Sequence, residues 1–408
     1  MAVAEGRNLA RTIDINPEIV HNKTATLVGF TASTADGESI EVSFTVEAPV
    51  EPTELAVTEA MLLAALALAM QRNSVLRIRG KVSRSLRHTV DLYQIACACW
   101  WPHRYRMVPI EVDVVDDQVP HTTRGVLCFS GGLDSIYSAK DLKAAQQVDS
   151  GLLIAGYDID PGEGQDQQRV RVARLLERLG LAMIVVKTNV RQALGQKVIE
   201  GAQGSYLASA LTLLSDSFGR GFVSSGLVDL ADLGASDPVH EAVMPLLGSS
   251  RYPIVVYGGQ IPRMDKLAKI AAEPALIQDV RVCLERADDG HCGRCPKCLL
   301  NALASLAITG QWPAWYPEGL FDVRHLDAMP LNETRRRYGL NIVRLAASRG
   351  LRGEWLDALQ AHLTIKPQHD TVKNSIRVRP RDDGATVPAR SLEKKSLPPH
   401  LQSTERSR

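Results

Sequence analysis

Gly125-Val126-Leu127-Cys128-Phe129-Ser130-Gly131-Gly132-Leu133-Asp134-Ser135 is the stretch on which the reading of this chain turns. Its first five residues are an apolar run of the length expected for a buried strand. A turn with two glycines follows, and residues 134–147 carry a helical pattern. A strand, a glycine turn and a helix in that order leave backbone N–H groups and the positive end of the helix dipole facing one point, which suits an anion. The glycines let the backbone approach a polyphosphate with no Cβ in the way. Ser130 and Ser135 add hydroxyl donors, and Asp134 can either hold Mg²⁺ or cap the helix. The expected nucleotide-contacting set is therefore Phe129, Ser130, Gly131, Gly132, Leu133, Asp134 and Ser135. The G-x-x-x-x-G-K-[ST] loop is absent from the chain, which disfavours γ-phosphate transfer.

Working outward, the same strand–helix alternation repeats downstream. Strands are expected at 125–129, 151–157, 182–187, 221–225 and 252–257. Helices are expected at 134–147, 167–179, 203–218, 263–272 and 296–309. Alternation of this kind implies βαβ units around a parallel sheet, so residues 121–311 read as an α/β domain. Residues 1–120 read as a separate α+β domain. Two strands there, at 24–29 and 39–47, are joined by an Ala35-Asp36-Gly37 turn. A helix at 58–71 follows with Thr58 as its cap, then a strand at 75–82, a helix at 84–99 and a strand at 107–115. Residues 312–365 read as a helical segment. The tail, 366–408, is rich in Pro, Ser, Arg and Lys and is expected to be disordered.

Cys283, Cys292, Cys295 and Cys298 form a C-x8-C-x2-C-x2-C pattern. Overlapping C-x2-C turns put three sulfurs on one knuckle, and the fourth comes from the preceding loop. Four thiolates satisfy tetrahedral Zn²⁺ and leave no open position, so the expected role is structural. An iron–sulfur cluster accepts similar spacing and stays open as an alternative. His291 adjoins the knuckle as a bystander or an outer hydrogen-bonding partner.

The six residues from Ser130 to Ser135, coming directly after a first strand, resemble the signature of the PP-loop ATP pyrophosphatases. Their pairing with a four-cysteine knuckle near the end of the same domain resembles the 7-cyano-7-deazaguanine synthase (QueC-like) family. The resemblance covers roughly residues 124–310, as a divergent branch with added N- and C-terminal regions. It implies a Rossmann-like ATP-pyrophosphatase fold, Mg²⁺ with ATP, and adenylation of a 7-deazapurine-type carboxylate, released as amide or nitrile. Looser matches place Asp237 and Glu241 in a substrate-side acidic loop, and Arg263 and Lys266 at a helix start. Two departures stand out. Only Tyr157 and Gln165 echo the family's Tyr-Gly-Gln segment, and Asp237-Pro238-Val239 stands where the family has Asp-Cys-Arg. The resemblance extends to components of antiphage defence systems.

Other residues complete the expected site. Asp158 and Asp160 follow the second strand on the crevice side of a parallel sheet, where they can bind Mg²⁺ or a substrate amine, or simply start the turn at Pro161-Gly162. Arg263 and Lys266 can neutralise pyrophosphate. Asp229 and Asp232 follow the fourth strand and can line the same crevice. Trp312, Trp315 and Trp355 are expected to anchor the C-terminal segment. A formal net charge of +1 gives no global pull toward nucleic acid or anionic lipid. The most apolar stretch, 61–70, is too short to span a bilayer, and no leader-like run opens the chain, so a cytoplasmic location is the default expectation. The expected partners are ATP and a small-molecule acid, with a protein acceptor or a defence-system component beside them and a second copy of the chain in a homodimer. Two alternatives stay open: a ligase joining such an acid to an amine on a protein, and a scaffold that binds nucleotide without turnover.

Overall fold

The computed structural model describes residues 12–33, 39–117, 122–159, 162–283, 285–286 and 288–364. The Ala35-Asp36-Gly37 turn, Asp160 and the tail from 366 lie outside them. The first part of the chain runs β1 (Thr12–Ile15), β2 (Glu18–His21), β3 (Ala25–Ser33), β4 (Ser39–Glu47), α1 (Glu54–Arg72), β5 (Val75–Ser83), α2 (Arg84–Trp100) and β6 (Ile110–Val115). The middle part runs β7 (Gly125–Cys128), α3 (Leu133–Ala144), β8 (Val148–Ala155), α4 (Glu163–Arg178), β9 (Ala182–Thr188), α5 (Val190–Leu194), α6 (Gln196–Thr212), β10 (Arg220–Ser224) and β11 (Ile254–Tyr257). The last part is helical: α7 (Arg263–Ala271), α8 (Pro274–Ile277), α9 (Pro296–Thr309), α10 (Val323–Asp327), α11 (Glu333–Ser348) and α12 (Glu354–Thr364).

The protein is a mixed α/β molecule built on an eight-stranded sheet of order β11-β10-β7-β8-β9-β4-β3-β2. The five strands from β11 to β9 are parallel, and β4, β3 and β2 continue them antiparallel. β7 lies inside the sheet, which explains why it reads as Val-Leu-Cys with no alternation: both of its faces are covered. Helices α1 and α6 share a core on one face, while α3, α4, α7, α9 and α11 share a second core on the other. A smaller parallel sheet, β1-β5-β6, completes the molecule.

The sheet runs across the boundary expected near residue 120. β4 pairs with β9, Phe44 opposite Thr188 and Val46 opposite Val186, and Asn189 Oδ1 accepts the Ser43 N–H at 2.8 Å. The described residues belong to one compact unit. Strands β2, β3 and β4 therefore finish the main sheet, while β1, β5 and β6 form the smaller one. The reason is edge satisfaction: without β4, the apolar strand β9 would present unpaired backbone groups.

Helix α1 begins at Glu54, not at Thr58. Thr53 is its cap, accepting from the Ala56 N–H, and Thr58 lies inside the helix with its hydroxyl donating to the Glu54 carbonyl at 2.8 Å. At 19 residues it is longer than the apolar stretch 61–70 and is long and apolar enough to cross a membrane, yet it is buried inside the protein. Helix α6 starts at Gln196, upstream of the apolar run read from residue 203, with a kink at Ala202. Helix α9 keeps the bounds read from the sequence. Pro296 sits in its first turn, and Gly310 ends it at φ +77°. The C-terminal helices are docked and not loose. The Tyr338 hydroxyl donates to Asn301 Oδ1 of α9 at 3.2 Å, Trp355 is buried, Trp315 stacks on His291, and Trp312 stacks on Tyr316.

Candidate functional site

Strand β7 leads chain to one side of the sheet through β8 and β9, and to the other through β10 and β11. The gap between β7 and β10 is therefore the topological switch point, where loops diverge and leave a crevice beyond the strands' carboxyl ends. The segment from Phe129 to Ser135 leaves β7 there. The Phe129 N–H is spent on the Leu152 carbonyl at 2.7 Å, and its ring and Leu133 are buried in the core. These two residues of the expected set thus anchor the loop by their side chains, and only their backbone can face a ligand.

Gly131 takes φ +71°. Its carbonyl accepts from the Arg281 N–H at 3.1 Å and from Arg171 Nη1 at 3.2 Å, while the Ser130 carbonyl accepts from Arg171 Nη2 at 3.1 Å. The loop's carbonyls are thus held from behind. In front, the N–H groups of Ser130, Gly131, Leu133, Asp134 and Ser135 have no acceptor among the described residues, and α3 carries no side-chain cap. The Ser130 Oγ accepts from the Gly132 N–H at 3.3 Å, which keeps its own proton available. Ser135 is spent locally, its hydroxyl donating to the Gly132 carbonyl at 2.9 Å.

Asp134 neither caps α3 nor stands alone. Its Oδ2 meets Arg263 Nη2 at 3.0 Å and its Oδ1 meets Lys266 Nζ at 3.3 Å. Lys266 is fully buried and also donates to the Ser225 carbonyl at 2.8 Å, so it links the loop after β7 to the loop after β10 across the switch point. Burial first, and Arg263 with it, push the Lys266 ammonium below the usual lysine range, while Asp134 pulls it back up. Ser225 also donates to Glu241 Oε1, whereas Glu241 Oε2 is buried with no partner among the described residues.

Asp158 is half-buried beyond β8. Burial raises its carboxyl above the usual range, against the nearby charges of Arg281, Lys297, Arg191 and Arg171. Lys297, in the first turn of α9, is solvent-exposed and feels both Asp134 and Asp158. Asp237 does not join this group. It is exposed, and its Oδ1 accepts the Val239 N–H at 2.7 Å, so it closes its own turn. Asp229 and Asp232 do not offer free carboxylates to the crevice either. Arg337 of α11 pairs with both, and Thr334 donates to Asp232 at 3.0 Å.

The sulfurs of Cys283, Cys292, Cys295 and Cys298 all lie within 4.8 Å of one another. A tetrahedral zinc thiolate site, with Zn–S near 2.3 Å, needs sulfurs about 3.8 Å apart. The 4.0 Å between the Cys292 and Cys298 sulfurs matches that need, so the cluster can hold a metal ion such as zinc. Backbone N–H groups of Cys295 and Cys298 point at the Cys292 and Cys295 sulfurs at 3.3 and 3.4 Å, which favours thiolate there. His291 offers no ligand atom to the group. Its Nε2 accepts the Val282 N–H at 3.3 Å, and burial against Trp315 pushes its pKa down to about 4.

No family model matches this chain, and no curated protein matches it. The assignment therefore rests on geometry. One cavity of about 410 Å³ lies away from the loop beside Ile40, Leu68 and Leu194, and another of about 380 Å³ lies on α4 beside Asp166, Val170, Arg171 and Arg174. Neither is lined by loop residues, whereas the crevice brings unspent N–H groups, cations and carboxylates together. Sequence reasoning missed Arg171, Arg281, Asp289 and Lys297. Arg171 is one of several arginines on α4 and has no distinguishing context. Lys297 had a signal, a cation placed between two cysteines of the cluster on the side of a helix start.

Proposed function

We propose that the protein is an ATP pyrophosphatase-type ligase of the PP-loop kind, QueC-like, which forms AMP and pyrophosphate while activating a carboxylate. The observation that carries this is the loop Ser130–Ser135 standing at the switch point with all its N–H groups but that of Gly132 unspent among the described residues, and two cations, Arg263 and Lys266, gathered beside it. Loop amides bind the phosphates of ATP, and the Ser130 hydroxyl donates to them. Arg263 and Lys266 neutralise the departing pyrophosphate. Mg²⁺ would supply charge neutralisation as the ion of Mg·ATP, and Asp134, whose two oxygens meet Arg263 and Lys266, would hold it as those cations turn to the pyrophosphate.

In the reaction, an oxygen of the substrate carboxylate attacks the α-phosphorus and the bond to the β-phosphate oxygen breaks. This gives an acyl adenylate and pyrophosphate. An amine or ammonia then attacks the acyl carbon and releases AMP, with its lost proton passing to solvent. Positioning and charge stabilisation are the protein's part, and no covalent enzyme intermediate is needed. A 7-deazapurine-type carboxylate is the first acid to try, on the strength of the family resemblance. The metal in the knuckle is structural zinc, because four thiolates close its coordination.

The test is to incubate the protein with Mg·ATP, ammonia or an amine, and a panel of acids, and to measure AMP and pyrophosphate. Acid-dependent AMP is the expected result. ADP and phosphate in its place, or no acid-dependent turnover together with tight ATP binding, would overturn the ligase reading.

A further inference from the structure

The back of the nucleotide loop is held by Arg171 of α4 and by the Arg281 N–H, and both arginine side chains meet Asp289 beside the metal knuckle. Arg281 stands two residues before Cys283, and Asp289 lies between Cys283 and Cys292, three residues before the latter, so one adjoins and the other lies on the segment that the sulfurs draw together. Asp289 is bound by two guanidinium groups. Arg171 Nε meets its Oδ2 at 2.5 Å and Arg171 Nη2 its Oδ1 at 3.0 Å, while Arg281 Nε meets Oδ1 at 3.1 Å. The three side chains are 11%, 7% and 6% exposed for Arg171, Asp289 and Arg281. The same Arg171 reaches the Ser130 and Gly131 carbonyls, and the Arg281 N–H reaches Gly131 as well.

A turn carrying two adjacent glycines does not hold one shape by itself, because glycine has the most backbone freedom to lose. Here its outward N–H display depends on its carbonyls being pinned behind. Both pinning arginines meet Asp289 of the 283–292 segment, and Arg171 is tied besides to the Asp279 carbonyl at 3.2 Å. Without a metal the four sulfurs lose the ion that ties them together, and the segment is left to the Arg171 and Arg281 contacts with Asp289 and the Val282 N–H bond to His291.

We infer that metal binding at the knuckle and nucleotide binding at the loop are thermodynamically linked, with Arg171, Asp289 and Arg281 as the positioning residues that carry the link. The inference rests on the reading that the loop takes ATP. Linkage is reciprocal: the factor by which the metal tightens ATP equals the factor by which ATP tightens the metal, on the order of tenfold for couplings of this type.

The experiment uses the full chain, Zn²⁺-loaded and chelator-stripped. Calorimetry gives the ATP dissociation constant of each form, and competition with a chromogenic chelator gives Zn²⁺ affinity with and without ATP. Stripping should weaken ATP binding roughly tenfold, and ATP should raise Zn²⁺ affinity by the same factor. Asp289→Asn keeps the side-chain shape and all four thiolates. Loaded with one Zn²⁺ per chain, it should bind ATP as weakly as the stripped wild type, and ATP should no longer change its Zn²⁺ affinity. A merely structural Asp289 would change neither. If the stripped wild type unfolds, loaded Asp289→Asn against loaded wild type decides alone. Equal ATP affinity in those two, or ATP binding that leaves Zn²⁺ affinity unchanged, overturns the linkage. Failure of the loaded wild type to bind ATP at all is a different result, and it overturns the nucleotide reading together with the link.

Discussion

At position 131 a Cβ would stand 2.2 Å from Arg171 Nη1, on a backbone held at φ +71°. The left-handed region costs an L-residue roughly 1–2 kcal/mol, and the displaced guanidinium would release two carbonyls besides. Gly131→Ala is therefore expected to lose about 1–3 kcal/mol in denaturant unfolding and to lose most ATP affinity in calorimetry. Gly234→Ala, with nothing within 4 Å of its Cβ and no unusual φ, should stay within about 0.5 kcal/mol of wild type. Lys266 gives a second test at this scale. Its folded pKa lies below the ordinary value, so its charged form costs the folded state energy, and wild-type stability should climb as pH rises from that depressed pKa toward 10.5. Lys266→Met should flatten this climb, leaving the share of Lys297, whose ammonium pKa is also lowered by burial, without unfolding the protein, since Arg263 still holds Asp134. Acid-dependent AMP formation should fall about a hundredfold through loss of charge stabilisation. Unfolding midpoints across pH, set beside pyrophosphate release, check both halves.

Elements differ in how far the sequence disclosed them, and the difference follows the range of the interactions that make them. β7, its loop and α3 were readable because strand, glycine turn and helix are decided by neighbours. α9 was readable to the residue because Pro296 and Gly310 punctuate it. The cysteine knuckle was readable because metal ligands must recur at short spacings. Thr53 was passed over for Thr58 because either threonine can cap, and only the path of the chain after Pro52 selects between them. Asp237 read as a site residue because its family context is acidic, whereas its carboxylate satisfies a backbone N–H two residues on. Arg171 was invisible, since its acceptors, Gly131 and Asp289, lie 40 and 118 residues away. The knuckle also allows a clean element-level test. Cys295 belongs to the four-sulfur cluster and also caps α9, accepting the Cys298 N–H. Cys295→Ser keeps an oxygen to cap the helix but removes a thiolate. Bound zinc should fall well below one ion per chain, and the thermal midpoint should drop by roughly 5–10 °C. A fully stable, metal-free Cys295→Ser chain would show that the cluster does not support the fold.

The whole molecule is held together across the position where composition suggested a division. β4 closes the edge of β9 through pairs such as Phe44 with Thr188, and α1 lies buried against α6, where Ser209 donates to the Ala60 carbonyl at 2.7 Å. Arg169 of α4 grips Glu47 of β4 through two bonds of 2.7 Å. Cutting near residue 120 would uncover the faces of α1 and α6 together, and would leave β9 as an apolar open edge, a template for aggregation. Residues 1–120 alone and 121–364 alone are therefore each expected to be insoluble. Co-expressed, the two pieces should copurify and regain a cooperative unfolding transition. Alanine at Phe44 should weaken that reassembly more than alanine at the exposed Glu41, because Phe44 is 1% exposed and pairs directly with β9. A soluble, cooperatively folding 121–364 fragment that binds ATP unaided would instead establish residues 1–120 as an independent appendage. The site would then owe nothing to the first four strands.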